Sequence, residues 1–144
     1  MTMLWFPLLL TTLAAVYDLR QREIPDWIPV ALLFGAAGAV GAGWIVVGPW
    51  LAVAGCTLAF ALSATLFWLG GWGGGDVKLL TAIGAWLGPA ALLGMCFWMA
   101  LAGAGLAMFA WSRGRKDLAY APAIACGLMV QTAWPDVVRH WAGL

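Results

Sequence analysis

An all-α polytopic membrane protein is the fold class this sequence predicts, on three observations. Hydrophobic residues fill 65% of its 144 positions and charged residues 9%, too little polar surface to cover a soluble globule of this size. Mean hydropathy is +0.95. The apolar residues also fall into long runs, and a bilayer core roughly 30 Å thick asks for about 20 of them per helical span.

The runs predict about six transmembrane helices. Leu4 to Tyr17 is the first; no positive charge precedes it, and Asp18 and Arg20 stand where a secretory signal carries small cleavage-site residues, so it is expected to stay as a span. Pro7 is tolerated there in a first helical turn. Trp27 to Val47 is the second, introduced by "IPDW", with Pro25 suited to an early helical position and Trp27 to an interfacial aromatic belt. Trp50 to Gly70 is the third. The fourth, Val77 to Leu87, is short, cut off by "LGP". Ala90 to Trp111 and Leu118 to Ala133 complete the set. Nothing in the chain reads as a repeat, low-complexity tract or linker, so residues 1–144 are expected to form a single domain.

Orientation follows from charge, because short loops rich in Lys and Arg stay in the cytoplasm. Arg20 and Arg22 follow the first span, and Arg113, Arg115 and Lys116 follow the fifth. Six spans put both groups on one face with the "GGGD" turn, while "VVGPW" and "LGP" on the other face are uncharged. The N-terminus is then outside, as is Arg139. Merging Val77 to Trp111 into one span would separate the two basic groups.

Several classes drop out. A formal net charge of +1 gives no footprint for nucleic acid. Cys56, Cys96 and Cys126 lie one to a stretch without C-x-x-C spacing and read as small buried apolar residues, and His140 beside Arg139 reads as solvated. No metal and no cofactor is expected.

The chain has six carboxylates: Asp18, Glu23, Asp26, Asp76, Asp117 and Asp136. Asp117 in "SRGRKD" and Asp136 after Pro135 read as solvated or capping. Asp18 and Asp76 differ, because each marks the boundary of an apolar helix on the predicted cytoplasmic face. Asp76, after a glycine run and before "VKLLTAIGAWL", would serve as an N-cap. Two neighbours ask for more: Lys78 occupies a first turn that disfavours cations, and Gly73 to Gly75 exceed what one capping turn needs, leaving backbone that an extended peptide can approach. If the two helices pack side by side, Asp18 and Asp76 meet, share a proton and activate water as an acid–base pair.

"DLRQREIPDW", "GGGDVKLLTAIGAWLG" and "YAPAIACG" (Tyr120 to Gly127) together resemble the signature segments of the type IV prepilin peptidases, membrane aspartic proteases with a G-x-G-D motif. The resemblance implies Asp18 and Asp76 as the catalytic pair, Gly73 and Gly75 as motif glycines next to substrate, and Lys78 as a further motif residue. Asp26 departs from the Asn that the family often carries after "IP". The implied substrate is a prepilin or pseudopilin precursor, cut at the cytoplasmic face of the inner membrane between a basic leader and an apolar helix. Larger members add a region with paired C-x-x-C motifs and N-methylate the product; this sequence resembles the peptidase-only form.

Two other readings of the carboxylates are a small ion or proton transporter and a non-catalytic subunit of a pilus-assembly machine. The tryptophans are expected mainly as interfacial or outward anchors, with Trp5, Trp27, Trp50, Trp111 and Trp141 near span ends. Gly35, Gly38 and Gly41 allow close helix contact, with a homodimer as one use of it.

Overall fold

The computed structural model describes residues 4–114 and 120–133, all helix and connecting turn. Five helices follow one another: α1 Trp5–Gln21, α2 Trp27–Gly41, α3 Pro49–Trp68, α4 Gly74–Ser112 and α5 Ala121–Ala133. Both α3 and α4 are long and apolar enough to cross a membrane. Arg115, Lys116, Asp117, Leu118, Asp136, Arg139, His140 and Trp141 lie outside the described residues.

Helix α1 runs about one turn beyond its predicted end at Tyr17, so Asp18 sits within the helix and not at its tip. It stops where Arg22 turns left-handed at φ 58°. Thr11 and Thr12 donate their hydroxyls back to the carbonyls of Pro7 and Leu8 at 2.6 and 2.8 Å, which satisfies both within the helix. Helix α2 ends at Gly41, short of the predicted Val47. Gly43 at φ 69° lets Trp44 N–H reach the Ala39 carbonyl and Gly43 N–H reach that of Val40, a Schellman stop that only a residue free to turn left-handed makes cheaply.

The fourth and fifth predicted helices are both present, but they abut without a loop as the two limbs of α4. Gly88 (φ 70°, ψ 174°) is the non-helical residue, and Pro89 starts the second limb. The limbs fold back on each other. In the first limb Gly84 lies against Gly55 and Ala59 of α3, and Gly88 against Leu51, so this limb runs antiparallel to α3. In the second, Met99 backs Gly127 and Gly103 faces Ala123, so this limb runs antiparallel to α5. Residues 103–107 therefore return to the end of the bundle where α4 began. That end also carries Arg22, the glycine turn and the start of α5.

The core is built where these helices meet. Ile28 and Leu32 of α2, Leu79, Leu80 and Ile83 of α4, and Ile124 and Leu128 of α5 are fully enclosed. Trp86 is buried too, against the expectation of peripheral tryptophans: its indole N–H donates to the Leu32 carbonyl at 2.8 Å and its ring packs on Phe6. A buried indole needs such a partner. Exposed tryptophans fall into two groups, Trp27, Trp68 and Trp111 near the site end and Trp5, Trp44 and Trp50 near the other. Gly35 is occupied within the chain, by Phe6 and Trp86, while Gly38 and Gly41 have open space beside them. Cys56 and Cys96 are half-buried and Cys126 is exposed, so the expectation of three buried thiols is corrected; on an apolar outer surface a thiol gains nothing by hiding.

Candidate active site

Asp18 reaches the site from the last turns of α1. It is 9% exposed, and its Oδ2 accepts the backbone N–H of Ala121 at 3.1 Å. Ala121 is the first residue of α5, whose leading N–H groups have no partner inside the helix. The carboxylate of one helix thus caps another, where the positive end of the dipole favours an anion.

Asp76 arrives from the opposite wall. Helix α4 starts at Gly74, earlier than the predicted Val77, so Asp76 is the third helical residue and not the cap. It reaches back instead: Gly73 N–H donates to its Oδ2 at 3.2 Å. Its other oxygen, Oδ1, is buried and has no hydrogen-bond partner. A buried carboxylate oxygen without a partner is costly and asks for an explanation, of which a catalytic role is one. Gly75 packs against Ile24, where even a methyl group would meet the Ile24 side chain at 3.1–3.4 Å. This brings the glycine turn down onto the segment between α1 and α2.

A cavity of about 640 Å³ opens between these walls, lined by Asp18, Glu23, Asp26, Gly73, Gly75 and Asp76, with Arg22 as the cation on its rim. Four of the sequence-derived site residues therefore come together: Asp18, Asp76, Gly73 and Gly75. Lys78 does not join them. It points to the neighbouring face, where its ammonium pairs with the Asp26 carboxylate at 2.7 Å. Counted from Gly74, Lys78 is the fifth helical residue and lies past the first turn, so the expectation of a cation in the first turn is corrected; its partner is an anion from the start of α2. Among the described residues no group of three His, Cys, Asp or Glu side chains is arranged to hold a metal ion.

Residues 4–108 match the model of the type IV leader peptidase family, a stretch holding both carboxylates and the glycine turn. The chain belongs to that family. Among curated relatives of this leader peptidase domain are the prepilin leader peptidase/N-methyltransferases of Aeromonas salmonicida and Aeromonas hydrophila. Each is 30% identical over 137 residues, which is 86% of this chain and 46% of the relative. The enzyme of the same name from Xanthomonas campestris pv. campestris is 30% identical over 143 residues, 88% of this chain and 49% of the relative. The chain thus spans about half the length of the curated relatives it matches. No solved structure matches it significantly.

Beside the leader peptidase motifs, the site uses groups that residue types did not announce. The Ala121 N–H is a backbone atom; its only trace in the sequence is that "YAPAIACG" starts a helix, with Pro122 in the first turn. Trp72, on the glycine turn, stacks on Tyr120 with ring centroids 5.9 Å apart, tying that turn to the start of α5. Glu23, to which the sequence assigns no role, also lines the cavity.

Proposed function

We propose that the chain is an aspartic endopeptidase that removes the basic leader from prepilin or prepilin-like precursors at the cytoplasmic face of the inner membrane. The observation that carries this reading is the pair of mostly buried carboxylates, Asp18 of α1 and Asp76 of α4, lining one water-accessible cavity. Each has one oxygen held by a backbone N–H, from Ala121 and Gly73 respectively. The mechanism proposed asks the pair to hold one proton between them, as a carboxylate dyad does.

In the reaction the ionised member takes a proton from water as that water attacks the scissile carbonyl. The protonated member donates to the developing oxyanion, and the proton then passes to the leaving amine. The glycine turn keeps one side of the cavity free of side chains, so extended substrate backbone comes close to Asp76. In the membrane we place α1, α2, α3, the two limbs of α4 and α5 as six crossings, with the N-terminus outside and the site end in the cytoplasm. The two groups of exposed tryptophans then lie at the two interfaces.

The test is direct. Purified chain in detergent or proteoliposomes is incubated with a prepilin precursor, with and without a chelator. A product shortened at the junction of basic leader and apolar helix, formed equally in both arms, supports the reading. Intact precursor, or cleavage that needs added zinc, overturns it.

A further inference from the structure

Two hollows at the site end share their walls. The acid cavity is bounded by 24–26 of the α1–α2 connection and 73–76 at the start of α4. One turn further along the same helices, Pro29, Val30 and Leu33 of α2 and Val77 and Thr81 of α4 line a second groove of about 370 Å³, completed by Phe60 of α3. Asp26 belongs to both.

Their chemistry is opposite. Four carboxylates and one guanidinium line the cavity; with Asp26 paired to Lys78 and one proton on the Asp18–Asp76 pair, the balance of the lining is still negative and favours a cationic segment. In the groove, the charged lining residues Asp26 and Lys78 are already paired with each other. The Thr81 hydroxyl is spent on the Val77 carbonyl at 2.7 Å, so the rest of the lining offers apolar surface. Val30 and Phe60 are 49% and 56% exposed, so the groove opens sideways onto the apolar flank of the bundle. Asp76, the last cavity residue on α4, directly precedes Val77, the first groove residue. A peptide crossing from one hollow to the other passes a catalytic carboxylate at the changeover.

We infer that this groove between α2, α3 and the first limb of α4 seats the apolar segment following the scissile bond, while the acid cavity holds the cationic segment before it. The inference rests on the peptidase reading above and adds the direction in which substrate lies. A lipid acyl chain would also fill the groove, but would leave the adjoining acid cavity unused. A competing apolar hollow, lined by Leu66, Trp72, Met99, Ala104 and Tyr120, shares no lining residue with the cavity.

Site-specific photocrosslinking tests the placement. The photoreactive residue p-benzoylphenylalanine is put at Val30, Phe60 or Ala104 in the full chain carrying Asp76→Asn, which holds precursor uncut. Membranes with a precursor of lysine-bearing leader and apolar pilin helix are then irradiated. Adducts to the precursor from Val30 and Phe60 but not from Ala104 are expected. Adducts from Ala104 in place of those two, or lipid adducts alone, overturn the groove. As a second measurement with Asp76 intact, Val30→Trp should raise KM about tenfold with kcat unchanged, the sign of lost binding and not of lost chemistry; an unchanged KM at normal membrane levels counts against the groove. Cleavage by the unsubstituted chain is scored in the same membranes. Cleavage without groove adducts overturns this inference alone, and absence of cleavage removes the peptidase reading with it.

Discussion

Asp18 accepts the backbone N–H of Ala121 across 103 residues of sequence, so a carboxylate on the first helix is oriented by the start of the last described one. The bond orients one oxygen of Asp18 and joins α1 to α5 at the site. Proline at position 121 would delete the donor while suiting the first helical position, where no intrahelical bond is lost. Ala121→Pro is expected to lower kcat/KM by about 10- to 100-fold, the value of a hydrogen bond to a charged group. Ala121→Ser, which keeps the N–H, should stay near wild type. Precursor-cleavage kinetics on membranes with matched protein levels decide it; equal activity of the two variants would show that Asp18 needs no such orientation.

The two carboxylates should fail as one unit. Asn keeps the shape of Asp but cannot exchange the proton, so Asp18→Asn and Asp76→Asn should each abolish processing in cells while the chain still accumulates in membranes. The double variant should be no worse than either single one, because residues sharing one step give non-additive losses. Full processing by Asp76→Asn would sink the aspartic mechanism.

The exposed Lys78–Asp26 pair predicts a mild phenotype. Its side chains are 57% and 76% exposed, so solvent screens the attraction and the pair is worth less than about 1 kcal/mol. Asp26→Asn and Lys78→Ala should each lower thermal stability slightly and leave most of kcat. Full processing by Asp18→Asn together with failure of Asp26→Asn would move the first catalytic role to Asp26.

Topology is tested by labelling. With Cys56, Cys96 and Cys126 replaced, single cysteines at Gln21, Gly74 and Ser112 should react from the cytoplasmic side, and one at Gly48 from the other. In the structure the first three lie at the site end, and Gly48 adjoins the opposite end, near Gly88. Labelling of Gln21 and Gly74 from opposite faces would separate the two carboxylates and end the dyad.

Much of the helical layout was legible in the sequence because one physical quantity dominates it. Backbone in an apolar surrounding must bond internally, and runs of apolar residues with their breaks at "RQREIP", "GWGGG" and Gly88–Pro89 mark where it does so. Boundaries were less legible. Extending α1 past Tyr17 and stopping α2 at Gly41 depend on caps formed by left-handed Arg22 and Gly43, features that hydropathy does not weigh.

Composition and motif alone singled out Asp18, Asp76 and the glycine run, since a charge retained in so apolar a chain needs a reason. What they touch was decided only in three dimensions. Two acidic residues near each other in sequence, Asp18 and Asp26, line one cavity but take different partners: one is buried against the start of α5 and the other is exposed and paired with Lys78. Asp76, 58 residues beyond Asp18, lines the same cavity. The reason is that a helix turns successive residues to different neighbours, and the fold-back at Gly88 brings α5 to the site. Sequence sets which groups are available; the packing of α1, α4 and α5 sets which of them meet.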